Sequence, residues 1–138
     1  MNQKEDFLKY QAQTSTNPLG LSVAKAKGSY IYDTDGKAYL DFVAGVSACS
    51  VGHSNPKVVN AVQKQAAAYM HVMVYGEYVQ TPAVNLCREL SKLLPEPLES
   101  TYLVNSGTEA IEAALKLARV WTKRQKIIFG QKAYHGNT

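Results

Sequence analysis

The run Asn105-Ser106-Gly107-Thr108-Glu109 joins a short apolar stretch, residues 101–104, to a strongly periodic helical segment. A helix that starts here presents unpaired backbone N–H groups and the positive end of its dipole. Two hydroxyls, those of Ser106 and Thr108, stand beside those N–H groups, and Gly107 lets a ligand approach the backbone closely. Phosphate matches such a setting best. The competing reading is an S-x-x-E capping box built from Ser106 and Glu109. It accounts for two residues and leaves Gly107 and Thr108 unexplained. A glycine just inside a helix costs about 1 kcal/mol relative to alanine. By pattern alone, capping and phosphate binding both stand. There is no G-K-[ST] and no G-x-G-x-x-G, so neither the Walker loop nor the dinucleotide fingerprint applies.

A second set of residues follows at 133–138. Tyr134 offers a flat aromatic face, His135 a titratable donor, and Gly136 room for close approach. A tyrosine-bearing surface loop has the same composition. This set comes shortly after the continuous apolar run 126–130, as the first set comes directly after 101–104. Both therefore lie at the carboxyl ends of expected strands, where open α/β sheets bind ligands. One can hold a phosphate and the other can stack on an aromatic ring. A phosphorylated aromatic cofactor needs both.

The elements that must position these residues read as β-α-β. Residues 101–104 form a strand, a helix runs from Thr108 to about Lys123 with Ile111, Ala114, Leu115 and Ala118 on one side, and 126–130 form a strand of the kind buried on both faces of a parallel sheet. Upstream, residues 28–42 read as a hairpin turning at Asp33-Thr34-Asp35-Gly36. Residues 43–56 are small and flexible. Asn55 caps a helix that begins at Pro56. Thr81 caps another that continues through Pro82 and carries Leu86, Leu90 and Leu93 on its apolar face. A short polar helix falls within residues 2–13, and 14–20 form a loop.

The chain has 138 residues, 46% of them apolar, and a formal charge of +4. That suffices for one domain with a core and argues against disorder. Six of the fifteen basic residues lie between Lys116 and Lys132. Without an arginine-rich cluster, that stretch reads as a solvated helix face rather than a nucleic-acid surface. Cys49 and Cys87 do not make a disulfide framework. No stretch is long enough to cross a membrane and the polar start is no signal peptide, so a soluble cytoplasmic protein is expected.

The segment VNSGTEAIEAALKLAR followed by YHGNT resembles the class III aminotransferases that depend on pyridoxal phosphate, the group of the acetylornithine, ornithine and 4-aminobutyrate aminotransferases. The similarity extends back through YIYDTDGKAYLDF and the G-H-x-x-P turn at Gly52-His53, and covers roughly Leu19 to Thr138. The resemblance implies an α/β fold, the amino-terminal part of a fold-type I transferase, with residues 1–54 in the small domain and 55–138 beginning the large cofactor-binding domain. It implies that Ser106, Gly107 and Thr108 hold the phosphate of pyridoxal 5'-phosphate, that Tyr134 stacks on its ring, and that His135 and Gly136 shape that wall. Gly52, His53 and the stretch from Tyr75 to Tyr78 would lie near the site or a homodimer interface. Asn137 stands where the family often has an arginine that grips a substrate carboxylate. Asparagine cannot form that bidentate charged pair, so amine donors without a distal carboxylate are expected.

The implied activity of the complete enzyme is amino transfer between an amine or amino acid and an oxo acid. Its Schiff-base lysine and the aspartate facing the pyridine nitrogen are expected beyond Thr138. No catalytic residue is therefore assigned here, no metal ligand either, and the 138 residues alone are expected to be inactive, with strand 126–130 uncovered. An aminomutase or lyase on the same fold remains open, as does a non-catalytic module binding phosphate or nucleic acid. The favoured partners are small-molecule amines and oxo acids and a second subunit, with neither nucleic acid nor membrane.

Overall fold

Asp33 is where the first half of the molecule is pinned. In the computed structural model, which describes residues 3–73 and 76–137, the chain divides into two compact units, 1–72 and 73–138. The first begins with helix α1 (Gln3–Tyr10) and then folds strands β1 (Val23–Lys27), β2 (Tyr30–Asp33) and β3 (Ala38–Leu40) into an antiparallel sheet of that order. The Asp33 carboxylate accepts from the N–H groups of Asp35 at 3.0 Å and Lys37 at 2.8 Å, closing the turn, and from the Tyr39 hydroxyl at 2.8 Å. Gly36 takes the positive φ, +83°, that such a turn requires. The expected hairpin is present, with Tyr30 opposite Leu40 and Tyr32 opposite Ala38; its last strand stops at Leu40, short of Phe42. Strand β1 is an addition to the expected elements. Its sequence, VAKAK, alternates as a strand does but has only Val23 of the branched and aromatic residues that mark one.

Residues 43–56, expected to be loose, are held. Helix α2 (Ala44–Ser47) is a single tight turn in which all four residues have positive φ, Val46 among them at 56°. A β-branched residue enters that region only when its surroundings impose it. Helix α3 (Pro56–Ala68) begins as expected: Asn55 accepts from the Lys57 N–H at 3.0 Å and proline occupies the first position.

The second unit contains α4 (Thr81–Leu93) and α5 (Gly107–Thr122). Thr81 is not the cap of α4. It is already helical, and the cap residue is Gln80, whose side chain donates to the Met73 carbonyl at 3.0 Å and accepts no N–H from the helix. Proline tolerates either of the first helical positions, so the pattern fixed the start only to within a residue. Residues 101–104 and 126–130 flank α5 as expected but pair with nothing among the described residues and are not strands. A parallel strand exists only through its neighbours' hydrogen bonds. Between α5 and the 126–135 stretch lies an apolar cleft of about 570 Å³, lined by Ile111, Leu115, Ile127, Phe129 and Ala133. Among the described residues none is buried, and Ile128 is 98% exposed.

Candidate functional site

The first turn of α5 carries a cap that uses only some of its polar groups. Ser106, at the cap in extended backbone, accepts the Glu109 N–H at 3.2 Å. Glu109 reaches back one residue further than the usual capping box and accepts the Asn105 N–H at 2.7 Å. The cap is thus complete without using the N–H groups of Gly107 and Thr108, which have no acceptor among the described residues. Ser106 engages a lone pair and keeps its proton to donate. A side chain at Gly107 would meet nothing within 4 Å, so the space over the turn is open. Two free N–H groups, two hydroxyls and an open approach at the positive end of a sixteen-residue helix suit a phosphate.

Gly136 meets this turn. A Cβ built there would lie 2.6 Å from Thr108 Oγ1 and 2.8 Å from its Cγ2, and the residue's φ is +128°. The two motifs, distant in sequence, are in contact, and only glycine fits between them. The loop that delivers Gly136 turns at Lys132, φ 62°, with the Ala133 N–H bonded to the Gly130 carbonyl at 3.1 Å. Tyr134 is 80% exposed, its ring face open, and its hydroxyl donates to Asn137 Oδ1 at 3.3 Å. Asn137 therefore steadies Tyr134 as well as occupying the position expected to meet substrate. His135 turns its ring edge-on to Phe129, 6.0 Å between centroids, and so lines the apolar cleft. Of the residues singled out from sequence, Ser106, Gly107, Thr108 and Gly136 come together; Tyr134, His135 and Asn137 follow on the same loop.

In the first unit a different polar cluster forms. His53 Nε2 lies 2.6 Å from Asp41 Oδ2, while Asp41 Oδ1 accepts from Val43 N at 2.9 Å and Ala44 N at 3.0 Å. The backbone of His53 pairs with Gly28 in both directions, at 2.8 and 2.9 Å. The Asp41 side chain is 7% exposed and that of His53 18%. The His53 ring, then the Ala44 and Val43 N–H groups, hold the Asp41 carboxyl below the usual carboxylate range against the opposing effect of desolvation. Sequence reasoning missed Asp41. Its signal was an aspartate three residues ahead of the small pair Ala44-Gly45, the setting of an Asx turn. Tyr75, expected near the site, lies outside the described residues.

The class III aminotransferase model matches residues 10–138. The chain belongs to that family. A probable 4-aminobutyrate aminotransferase of Bacillus subtilis is 39% identical over 119 residues, which cover 83% of this chain and 26% of that protein. The ornithine aminotransferase of Toxoplasma gondii superposes with a TM-score of 0.74 at 32% identity, over the whole of this chain and 34% of that one. An omega transaminase of Pseudomonas jessenii, solved in complex with PMP, shares the fold, with a TM-score of 0.80 at 24% identity over 89% of this chain and 28% of that one. The chain thus spans about a third or less of the length of these relatives. The chain is of the α/β class, part of a fold-type I transferase, with its small antiparallel sheet in the first unit and its paired motifs in the second. Among the described residues no helix is long and apolar enough to cross a membrane, and no cluster of potential metal ligands occurs.

Proposed function

We propose that the complete polypeptide transfers an amino group between an amine or amino acid and an oxo acid with pyridoxal 5'-phosphate as cofactor, working in the cytoplasm as a homodimer. In this reading residues 1–54 belong to the small domain and 55–138 open the cofactor domain. The observation that carries it is the meeting of Gly136 with Thr108 at an open helix start, in a chain that matches the family over residues 10–138. The N–H groups of Gly107 and Thr108 and the hydroxyls of Ser106 and Thr108 hold the phosphate. Tyr134 lays its ring against the pyridine, and His135 and Gly136 complete that wall. When bound, the cofactor supplies an electron-withdrawing ring that carries the reacting amine. The residues of this chain bind and orient it; the lysine that moves the proton and the aspartate that meets the ring nitrogen belong to the remainder of the family fold. Ser106→Ala and Thr108→Val, in the full-length chain, each remove a charge-assisted hydrogen bond of about 1.5–3 kcal/mol, which raises the Kd for pyridoxal phosphate roughly tenfold to a hundredfold. Titration of the apo form measures this, and unchanged affinity in both variants rules the site out.

The substrate follows from Asn137, which offers an amide where a carboxylate-gripping guanidinium is common in the family. The expected donor is an amine without a distal carboxylate. Turnover of a simple aliphatic amine compared with 4-aminobutyrate tests this, and a strong preference for 4-aminobutyrate refutes it.

A further inference from the structure

Resting on the phosphate site proposed above, we infer that Glu109 is a positioning residue for cofactor phosphate: its carboxylate sets the geometry of the cradle without touching the anion. Three observations place it there. Glu109 Oε2 accepts the Asn105 N–H at 2.7 Å, a charge-assisted bond that fixes the peptide entering Ser106. Its own N–H donates to Ser106 Oγ at 3.2 Å, which anchors the hydroxyl oxygen at the helix start and leaves its proton free to meet a ligand. The two bonds close a reciprocal brace around Ser106 and Gly107, the residues over which the space is open.

The arrangement carries a cost that points the same way. A carboxylate in the first turn of a helix lies close to where a phosphate dianion is held, and like charges repel. Glu109 is folded back onto Asn105, where Oε2 accepts the backbone N–H at 2.7 Å. It satisfies the Asn105 N–H and so braces the peptide that leads into the cradle. Glutamine can make the same bond through its carbonyl oxygen and carries no charge; alanine cannot make it.

The test uses the full-length chain in its apo form, titrated with pyridoxal phosphate and, separately, with pyridoxal, which lacks the phosphate. The ratio of the two dissociation constants isolates the phosphate's contribution. Glu109→Ala is expected to shrink that ratio about tenfold while leaving the affinity for pyridoxal unchanged. Glu109→Gln is expected to keep the ratio within about threefold of the parent, or to enlarge it as the repulsion disappears. Thermal unfolding of each apo variant reports its stability. An unchanged or larger ratio in Glu109→Ala overturns the inference, as does an equal weakening of both ligands, which marks a general structural role, or a Gln variant as impaired as Ala. A parent protein that binds pyridoxal as tightly as pyridoxal phosphate sinks the phosphate site itself, a result distinct from any of these.

Discussion

The two units fold by different rules. In the first, every strand finds its partner a few residues away: Lys27 faces Tyr30, and Tyr32 faces Ala38 across a turn that Asp33 closes. The second unit builds helices equally well, because helical bonds are local. Its two apolar segments, 101–104 and 126–130, lie beside α5 without a ladder, and Trp121 is 85% exposed. Antiparallel pairing is available through a tight turn, whereas a parallel strand depends on neighbours at long range. The second unit nevertheless has one tertiary junction made to close tolerance, Gly136 against Thr108. Precision at the candidate site therefore does not wait for a closed core; it rests on a capped helix and a glycine.

The strongest way to break that contrast is Gly136→Ala. The new methyl group would stand 2.6 Å from Thr108 Oγ1 in a backbone region that L residues rarely adopt. Strain and overlap of this kind cost about 2–4 kcal/mol together, so the Kd of the full-length chain for pyridoxal phosphate is expected to rise by roughly thirtyfold or more. A change below about threefold would mean that the loop yields freely and that the junction is loose.

In the first unit the corresponding test is pH. Asp41 has its pKa lowered chiefly by His53, so its ionised form is favoured in the folded state. The stability this contributes is complete above the ordinary carboxylate pKa and is lost as pH falls through the lowered value, below about pH 4. Asp41→Asn is expected to lower the Tm at neutral pH and to flatten the acid limb of the Tm profile. A parent and a variant with parallel profiles would show that the pair contributes nothing.

The smallest effect is expected at the end of α5, where Lys123 closes the helix in the left-handed region, φ 59°, with its N–H bonded to the Arg119 carbonyl at 2.9 Å. Glycine adopts that conformation without a Cβ penalty, so Lys123→Gly is expected to stabilise the full-length chain by about 0.5–1 kcal/mol, read from denaturant midpoints. Destabilisation would show that the lysine side chain contributes more than its backbone costs.

What was legible in the sequence follows the range of the interactions. The capped start of α3 at Asn55-Pro56 and the Ser106 cap of α5 were readable because a cap is a matter of a few adjacent residues. The turn at Asp33–Gly36 was readable for the same reason. Strand β1 was not, since alanine and lysine become a strand in VAKAK only when Tyr30 and Ile31 lie alongside. Of the candidate site, Ser106, Gly107 and Thr108 were singled out by residue type, and the N–H groups of the last two have no acceptor among the described residues. The role of Glu109 beyond capping was not readable, because it depends on which N–H the carboxylate reaches, and a side chain's rotamer is not written in spacing. Asp41 escaped notice because its partner, His53, comes twelve residues later and on the far side of an unusual left-handed turn.

Gly136 makes a demand of handedness as well as of size. Its α-carbon bears two hydrogens, and an L side chain would replace the one directed at Thr108. A D residue would replace the other, and its mirror-image backbone preference suits a φ of +128°. Every ribosomally encoded alternative to glycine has the wrong chirality here on both counts. The junction between the two motifs, the proposed phosphate cradle and aromatic wall, is thus closed to gradual enlargement by the ordinary amino acids, and change at this junction has to proceed through its neighbours.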